Sequence, residues 1–476
     1  MQQVRLELDS NVRRGSHGTA LLGGSPFRLV RLSAAGSGVL DQWLAGSVAP
    51  TKPGEVALHE QLIKSGLVHP VPSVGVELPS VAFVVPVFDD QLGLDRVLAA
   101  LRRDFPHERI VVVDDASPNA NRLADIVADH AADLIRHDVN RGPAAARNTG
   151  WRRVEDKPAV SSIRPEVIVF VDADVMPLAG ALPALLRHFA DPAVAAAAPR
   201  VPAEPGVGPI AAYESHDSPL DLGADPALVF PGTRISYVPS AALAVRASIL
   251  EENYGFDEEM RFGEDVDLIW RLTDDQHMVR YAPEAVCHHR NRGSLVSFAK
   301  QRFSYGSSAA VLARHHRSKV APLQMPVAVL GSTLGALFGG TKIRAAAALG
   351  TLVAGERLRH KIVDKVDNPV TEAARLTAMS HGYALQGLST AATRTWAPLL
   401  LASRRSRRWL LLALVLPALI DWFRRRPAND PVTHIALRGL DHGAYSAGVW
   451  VGVLRNLSPA ALLPKVQLPT RQHDQG

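Results

Sequence analysis

The stretch Val167-Ile-Val-Phe-Val-Asp-Ala-Asp174 places two carboxylates directly after an uninterrupted apolar run. Five consecutive apolar residues between polar flanks are typical of a strand that is buried on both faces. Because side chains alternate along an extended backbone, Asp172 and Asp174 are expected to point to the same side. Two carboxylates in that arrangement suit a divalent cation and a diphosphate that the cation bridges. The stretch therefore predicts a buried strand that ends in a metal site.

Strand, loop and helix units precede this stretch. Residues 81–86 form a second apolar run, and residues 109–113 form a third, which ends in Asp114-Asp115. Each run is followed by a helical pattern, and Leu134-Ile135 begins another short strand. The alternation predicts an α/β fold with a mostly parallel sheet that is covered on both faces. Ligands of such sheets bind beyond the carboxyl ends of the strands, where these acidic residues are expected.

Two further segments belong to the same expected site. Asn140-Arg-Gly-Pro143 places a glycine turn before a helix that carries Arg147. A helix N-terminus offers free backbone N–H groups to a phosphate, and the guanidinium of an arginine can donate two further hydrogen bonds. The alternative is an ordinary capped helix with a surface arginine. Gly263-Glu264-Asp265 begins another helix with an acidic first turn, which the helix dipole alone also favours.

These motifs resemble, in order and spacing, those of the inverting family 2 glycosyltransferases. The resemblance covers about residues 80–310 and rests on Val85-Pro-Val-Phe88, Val113-Asp-Asp-Ala-Ser117, the segment 140–148, Asp172-Ala-Asp174 and Gly263-Glu-Asp265. It implies a GT-A fold, which is Rossmann-like, together with a nucleotide-sugar donor and inversion at the anomeric carbon.

The resemblance also implies a role for individual residues. Asp115 would bind the uracil edge, Asp172 the ribose or the water shell of the metal, and Asp174 the metal itself, Mg²⁺ or Mn²⁺. Asp265 would be the general base, and Glu264 stands beside it in the same catalytic motif. The other contacts to the nucleotide sugar would come from Pro86, Val87, Asn140, Arg147, Asp172 and Arg302.

The chemistry of glycosyl transfer needs these residue types. A carboxylate-held cation neutralises the charge that grows on the leaving diphosphate. A second carboxylate takes the proton of the attacking hydroxyl, which contributes typically about 10²–10⁴-fold to the rate. In related enzymes a histidine often completes the cation's shell, and we take His288 as that ligand. His289 is the other candidate, and a surface pair of histidines is an equal alternative.

The segment around Arg302 departs from one branch of the family. Processive synthases carry Gln-x-x-Arg-Trp, whereas Gln301-Arg-Phe-Ser-Tyr305 lacks the arginine and the tryptophan at those places. By the resemblance, Arg302 would still cover the diphosphate. Because the Arg and Trp of the processive motif are absent, we do not expect long-chain synthesis through a channel.

Residues 315–476 are predicted to form a helical, basic, membrane-associated region. The charge of the whole chain is +5, and most of the excess lies after residue 310. Arg404-Arg-Ser-Arg-Arg408 and Arg424-Arg-Arg426 flank an apolar run, which is typical of the cytoplasmic face of the cell membrane. Residues 320–340 reach spanning length but contain two prolines, so we expect interfacial or partly inserted helices. A packed helical domain is the alternative.

Composition excludes one class of partner and one kind of cross-link. Nucleic acid is not expected, because the basic residues are not interleaved with aromatic ones as in RNA-binding domains. The single cysteine, Cys287, excludes an internal disulfide and agrees with a reducing compartment.

Residues 1–75 are predicted to form a separate α+β unit with short strands over 4–8, 20–22 and 27–30 and with a helix capped by Ser33. This layout resembles the small winged-helix peptide-binding domains of ribosomal-peptide maturation. Such a domain before a transferase domain at 80–310 and a basic tail resembles the mycofactocin-system branch of the family. That resemblance implies UDP-glucose as donor and a small peptide-derived redox cofactor precursor as acceptor, which receives a β-linked oligosaccharide.

Three other functions are alternatives, and composition suits the first of them equally well. A cell-wall or polysaccharide glycosyltransferase, for example a rhamnosyltransferase, would show the same motifs with another donor. A nucleotidyltransferase would need a basic glycine-rich signature near the first strand of the sheet, which residues 84–89 lack. A non-catalytic peptide-binding scaffold would have no need to retain Asp172, Asp174 and Asp265 together.

Overall fold

The computed structural model describes residues 5–15, 18–46, 50–156, 164–291, 293–317 and 319–467. The described chain divides into two compact units. The first holds the residues up to Val12 together with Gly23–Arg28 and Gly38–Leu295. The second holds Arg13–Leu22, Leu29–Ser37 and the residues from Val296 onward.

The strands are β1 (Arg5–Leu8), β2 (Arg13–Gly15), β3 (Ala20–Gly23), β4 (Arg28–Arg31), β5 (Val68–Val71), β6 (Val81–Val87), β7 (Arg109–Asp114), β8 (Asp133–Arg136), β9 (Val167–Val171), β10 (Val175–Pro177), β11 (Val194–Arg200), β12 (Ala227–Leu228), β13 (Ala242–Arg246), β14 (Met278–His289), β15 (Gln324–Pro326) and β16 (Lys465–Gln467).

The helices are α1 (Ala34–Leu44), α2 (Pro53–Lys64), α3 (Gln91–Asp104), α4 (Ala120–Asp129), α5 (Pro143–Asp156), α6 (Ala181–Leu186), α7 (Pro209–Asp217), α8 (Ala247–Glu252), α9 (Glu264–Asp274), α10 (Leu295–His315), α11 (Val327–Phe338), α12 (Thr341–Ile362), α13 (Pro369–Arg394), α14 (Ala397–Leu400), α15 (Arg404–Arg425) and α16 (Pro431–Asn456). Short 3₁₀ helices cover Arg187–Ala190 and Pro459–Leu462.

A nine-stranded sheet forms the centre of the first unit, in the order β10-β14-β11-β13-β9-β6-β7-β8, with β12 paired to β14. Strands β9, β6, β7 and β8 run parallel to one another, as predicted. The other half departs from the prediction of a mostly parallel sheet, because β13 runs antiparallel to both β9 and β11. The α/β fold is therefore GT-A-like, but its sheet is mixed.

The sheet buries both of its faces. Alternate residues of β6 enter two different cores: Phe83 and Val85 pack with α3 on one face, and Val84 packs with α5 and α9 on the other. A strand in this position has no polar face, which explains its unbroken apolar sequence. The acidic residues can follow only where each strand leaves the core, so they collect at one edge of the sheet.

The elements predicted for the N-terminal segment are present within the described residues, which begin after Val4. Strands β1 and β5 pair antiparallel in the first unit. The short strand β2, which the sequence interpretation did not include, joins β3 and β4 in a three-stranded sheet. The Ser33 hydroxyl accepts a hydrogen bond from the Gly36 N–H at 3.0 Å, as expected of the cap of α1.

Helices α11–α16 fill most of the second unit, so the predicted helical region is confirmed. Residues 320–340 do not form one long helix: strand β15 ends at Pro326, and the 12-residue helix α11 begins at Val327. In the part of the chain that the structure describes, no helix combines the length and the hydropathy that crossing a bilayer requires.

Candidate active site

A cleft of about 500 Å³ opens at the carboxyl ends of the parallel strands of the first unit. Among the residues that line it are Pro86, Val87, Asp90, Asp115, Asn140, Arg147, Asp172, Asp174, Arg261, Phe262 and Arg290. Seven of these are sequence-predicted site residues, so the local motifs do converge on one place.

Asp115 anchors the turn that precedes α5. Its carboxylate accepts hydrogen bonds from the backbone N–H of Arg141 at 2.8 Å and of Gly142 at 2.7 Å. The ring of His137 bonds to the same carboxylate at 2.8 Å. Gly142 has a φ of +94°, which a residue with a Cβ adopts only with strain. Since a carboxylate offers about four acceptor positions, Asp115 retains capacity for one more donor, such as an imide N–H of a nucleobase.

Arg147 joins the strand ends to the helix that carries the predicted base. Its guanidinium is 3% exposed and donates to Asp172 Oδ1 at 2.7 Å and to Glu264 Oε1 at 2.8 Å. The same group lies 5.4 Å from the centre of the Phe256 ring. Arg147 is therefore a bridge between two carboxylates, a role that its position at the start of α5 did not suggest.

The two carboxylates on Arg147 hold protons more tightly than usual. Burial raises the pKa of Asp172 to about 6, and the negative charge of Asp174 adds to the effect, although Arg147 opposes it. Burial likewise raises the pKa of Glu264 to about 7, with a further contribution from the charge of Asp265. One arginine thus does not neutralise this group of acids, and an added cation would relieve the repulsion.

Asp174 has the surroundings of a metal ligand. Its carboxylate lies 3.4 Å from Nε2 of His289, and its carbonyl accepts from the N–H of Arg290 at 2.9 Å. Strand β14 places Met176 opposite His288 and Val175 opposite His289. The geometry therefore favours His289 over His288 as the nitrogen ligand. Carboxylate and imidazole together suit Mn²⁺ and, through the oxygens, Mg²⁺, so the residues fit the expected cation.

Asp265 lies in the first turn of α9, after Gly263, which has a φ of +82°. Its carboxylate accepts from the backbone N–H of Ser240 at 3.2 Å and of Val266 at 2.8 Å. Its charge acts on Glu264 and Asp172, so it belongs to the same group of acids. Backbone N–H groups fix its orientation while leaving acceptor positions for a hydroxyl proton.

Among the cleft residues that were not predicted, two are arginines. Arg290 pairs with Asp90, and Arg261 is exposed beside Asn140. Both add positive charge where a diphosphate would lie. The position of Arg290 directly after the two histidines, at the end of β14, is the signal that could have indicated it.

Arg302, which was predicted to cover the diphosphate, is not among the residues that line the cleft. It belongs to the second unit, where it is 1% exposed and donates to Asp441 at 3.0 Å. Its guanidinium also lies 4.5 Å from the centre of the Phe298 ring. These contacts account for its burial without a ligand.

Comparison with known proteins shows similarity to glycosyltransferases. The family described as Glycosyl transferase family 2 matches residues 82–250. Pre-mycofactocin glycosyltransferase from two strains of Mycobacterium tuberculosis is 36% identical over 474 residues, which cover 97% of this chain and 97% of that protein. An N-acetylglucosaminyltransferase of Bradyrhizobium elkanii is 30% identical over 136 residues, which cover 28% of this chain and 72% of that protein.

A weaker similarity extends to an O-antigen chain rhamnosyltransferase of Salmonella typhimurium, which is 22% identical over 215 residues, or 44% of this chain and 66% of that protein. The chain therefore belongs to the family 2 glycosyltransferases and is an enzyme of that class. The predicted resemblance to the mycofactocin-system glycosyltransferases is also confirmed.

Proposed function

We propose that the enzyme transfers glucose from UDP-glucose to a peptide-derived precursor of the redox cofactor mycofactocin, on which it builds a short β-linked oligosaccharide. Support for the acceptor comes from the relative named pre-mycofactocin glycosyltransferase, which matches along nearly the whole chain. The observation that carries the reaction class is the convergence of Asp115, Asp172 and Asp174 on one cleft.

Each group in the cleft has a task in this reaction. Asp115 orients the base of the nucleotide through its remaining acceptor position. Asp174, Asp172 and His289 would hold a divalent cation, which when bound would supply Lewis-acid neutralisation of the negative charge on the departing diphosphate. Arg261 and Arg290 add hydrogen-bond donors for the same negative charge.

Asp265 acts on the acceptor. Held by the N–H groups of Ser240 and Val266, its carboxylate removes the proton of the attacking hydroxyl as the new glycosidic bond forms. Arg147 keeps Glu264, and through it the start of α9, fixed against the strand end at Asp172. The attack on the face opposite the leaving group inverts the anomeric carbon.

A panel of nucleotide sugars tests the donor. Purified enzyme is incubated with UDP-glucose, UDP-N-acetylglucosamine, GDP-mannose and dTDP-rhamnose, with the peptide-derived acceptor and Mn²⁺, and both released nucleotide and glycosylated acceptor are measured. Turnover with UDP-glucose alone supports the proposal. Turnover with dTDP-rhamnose and not with UDP-glucose would replace it with the rhamnosyltransferase alternative.

The Asp265→Asn variant tests the base. Transfer should fall by about 10²–10⁴-fold, because the amide cannot take the hydroxyl proton. Affinity for UDP should be nearly unchanged, because the residue acts on the acceptor. A parallel loss of UDP affinity and turnover would assign Asp265 to donor binding instead.

We also propose that helix α15 holds the enzyme on the cytoplasmic face of the cell membrane. Supporting this, Leu411, Leu412, Leu416 and Phe423 are 52–60% exposed on α15, and arginines lie at both of its ends. Such a helix suits an interface, where each arginine near anionic lipid contributes about 1 kcal/mol.

Vesicle sedimentation tests the membrane proposal. The enzyme should bind vesicles that contain phosphatidylserine and not vesicles of phosphatidylcholine alone. Replacing Arg404, Arg405, Arg407 and Arg408 by glutamine should weaken this binding, whereas replacing Arg122 on α4 should not. Equal sedimentation of all three proteins would contradict the proposal.

A further inference from the structure

A buried histidine lies behind the part of the cleft that is proposed to hold the nucleobase. His137 follows strand β8 directly and is 7% exposed. Its backbone N–H donates to the carbonyl of Asp114 at 2.9 Å, which fixes the residue beside the end of β7. His137 is not among the residues that line the cleft, whereas Asp115 is. An effect of the histidine on a ligand must therefore pass through a neighbouring residue.

Both ring nitrogens of His137 are hydrogen-bonded. Nδ1 lies 2.8 Å from Oδ1 of Asp115, and Nε2 lies 2.9 Å from Oγ1 of Thr149 on α5. Because an ionised carboxylate only accepts hydrogen bonds, the proton of the neutral ring is on Nδ1, and the Thr149 hydroxyl donates to Nε2. The chain of hydrogen bonds from Thr149 through His137 to Asp115 thus gives the ring one orientation and one tautomer.

The hydrogen bonds of Asp115 make it an acceptor toward the cleft. Within the described residues its carboxylate receives three protein donors, namely Nδ1 of His137 and the backbone N–H groups of Arg141 and Gly142. His137 and Arg141 share Oδ1, and Gly142 bonds to Oδ2. Since each contact uses an oxygen lone pair, the position that is left for a ligand is an acceptor as well.

An acceptor at this position distinguishes one pyrimidine base from the other. The N3 atom of uracil carries a hydrogen and donates, whereas the N3 atom of cytosine carries none and accepts. Cytosine would place its N3 lone pair against the carboxylate of Asp115 and leave both groups without a donor. A site that is built to bond one N–H group rejects the analogue that lacks it.

We infer that His137 is a positioning residue, which holds Asp115 so that the cleft binds UDP in preference to CDP. This role rests on the proposed function, in which Asp115 orients the nucleobase, and it adds a residue from outside the cleft lining. Without the Nδ1 donor the carboxylate would keep two contacts from a single turn, those with Arg141 and Gly142, and could rotate about its Cβ–Cγ bond. Its free acceptor position would then no longer have a fixed direction in the cleft.

Calorimetric titration of the whole protein with UDP and with CDP, each in the presence of Mn²⁺, tests this role. Wild-type protein should bind UDP about 10- to 100-fold more tightly than CDP, which is the ratio that one hydrogen bond to a charged group contributes. Equal affinity of the wild type for the two nucleotides would remove Asp115 from base binding in the proposed function, and the role of His137 with it.

The variants His137→Asn and His137→Gln carry the same amide at two distances from the backbone. In asparagine the amide nitrogen takes the place of Nδ1 and can still donate to Asp115. In glutamine it takes the place of Nε2, so the contact with Thr149 is kept and the donor to Asp115 is lost. His137→Asn should therefore keep the preference for UDP, whereas His137→Gln should reduce it about tenfold. The exposed His107→Gln should bind both nucleotides as the wild type does.

Steady-state rates separate positioning from a general loss of structure. In His137→Gln the KM for UDP-glucose should rise about tenfold while the kcat stays near the wild-type value, because the weakened contact binds ground state and transition state alike. Thr149→Val is the second variant, because a substitution of the buried histidine can prevent folding. It keeps the ring but removes the hydroxyl that fixes its tautomer, so the preference for UDP should fall by a smaller factor.

Three results would overturn the role of His137 and leave Asp115 in place. The first is a wild-type preference for UDP in both folded His137→Gln and folded Thr149→Val. The second is an equal loss of UDP and CDP affinity in His137→Gln, which would show that the histidine only packs. The third is a fall of the preference in His137→Asn that is as large as the fall in His137→Gln.

Discussion

Two clusters of arginine and carboxylate, one in each unit, differ in composition. In the first unit one arginine, Arg147, bonds two carboxylates, those of Asp172 and Glu264. In the second unit one carboxylate, that of Asp441, accepts hydrogen bonds from Arg302 at 3.0 Å and from Arg394 at 2.9 Å. The first, called the acid-rich cluster here, has two carboxylates and one arginine. The second, the base-rich cluster, has two arginines and one carboxylate.

The difference is visible in how strongly each carboxyl group holds its proton. Burial raises the pKa of Asp172 to about 6, because one shared arginine does not offset it. Burial would also raise the pKa of Asp441, but Arg394 and Arg302 together hold it below its usual value. The acid-rich cluster faces an open cleft and has a use for another cation. In the base-rich cluster both carboxylate oxygens of Asp441 accept a hydrogen bond from an arginine, and the cluster stabilises the helical unit.

The largest effect is expected from Arg147→Gln, which removes the cation of the acid-rich cluster. The free energy of unfolding should fall by about 3–5 kcal/mol, because the buried Glu264 and the partly buried Asp172 both lose their partner. The kcat of the folded protein should also fall on the order of 10²-fold, because the strand end and α9 are no longer held together. Chemical denaturation and initial rates measure the two effects.

Arg152→Gln is the control for this variant, since Arg152 lies on the same helix but is half exposed and bonds to Glu258. It should change neither quantity appreciably. A normal kcat in folded Arg147→Gln would show that the acid-rich cluster is structural in the same sense as the base-rich one.

Asp441→Asn should affect stability alone. Two guanidinium groups would share a neutral amide in place of a carboxylate, so the free energy of unfolding should fall by about 3–5 kcal/mol. The exposed Asp364→Asn is the control. Transferase rates of the folded protein should match the wild type. Retained stability with a raised KM for the donor would instead restore Arg302 as a donor contact.

The smallest effect concerns pH and Glu264. This carboxyl group has a pKa of about 7 in the folded protein against an ordinary value of 4.5, so folding takes up a proton between these values. Its contribution to stability is full below pH 4.5 and is lost as the pH rises through 7. In the metal-free protein, the stability of the wild type relative to Glu264→Gln should fall by up to about 1.4 kcal/mol per pH unit in this window. A difference that does not vary with pH would contradict the assignment.

Much of the first unit could be predicted because its signals are local. The apolar run of β9 and the pair Asp172 and Asp174 are adjacent in the chain, and parallel strands bring such ends to one edge. The face of α3 that carries Leu94 and Leu98 follows a helical period. Local period and strand polarity therefore determine most of the cleft.

The features that were missed depend on pairing between distant segments. The antiparallel course of β13 follows from its place between β9 and β11, which its own sequence does not state. Arg302 and Asp441 are 139 residues apart, so no local pattern links them. The choice of His289 over His288 rests on a strand register against Val175. A shift of one residue would have exchanged the two.

The acid-rich cleft is expected to bind a nucleoside diphosphate together with a cation, and titration of UDP tests this most directly. Wild-type protein should bind UDP tightly with Mn²⁺ and much more weakly in excess chelator. Asp174→Ala should bind UDP weakly in both conditions, because it lacks the residue that holds the cation, whereas the exposed Asp129→Ala should behave as the wild type. Equal affinity of the wild type with Mn²⁺ and with chelator would contradict the account and would assign the diphosphate to the arginines alone.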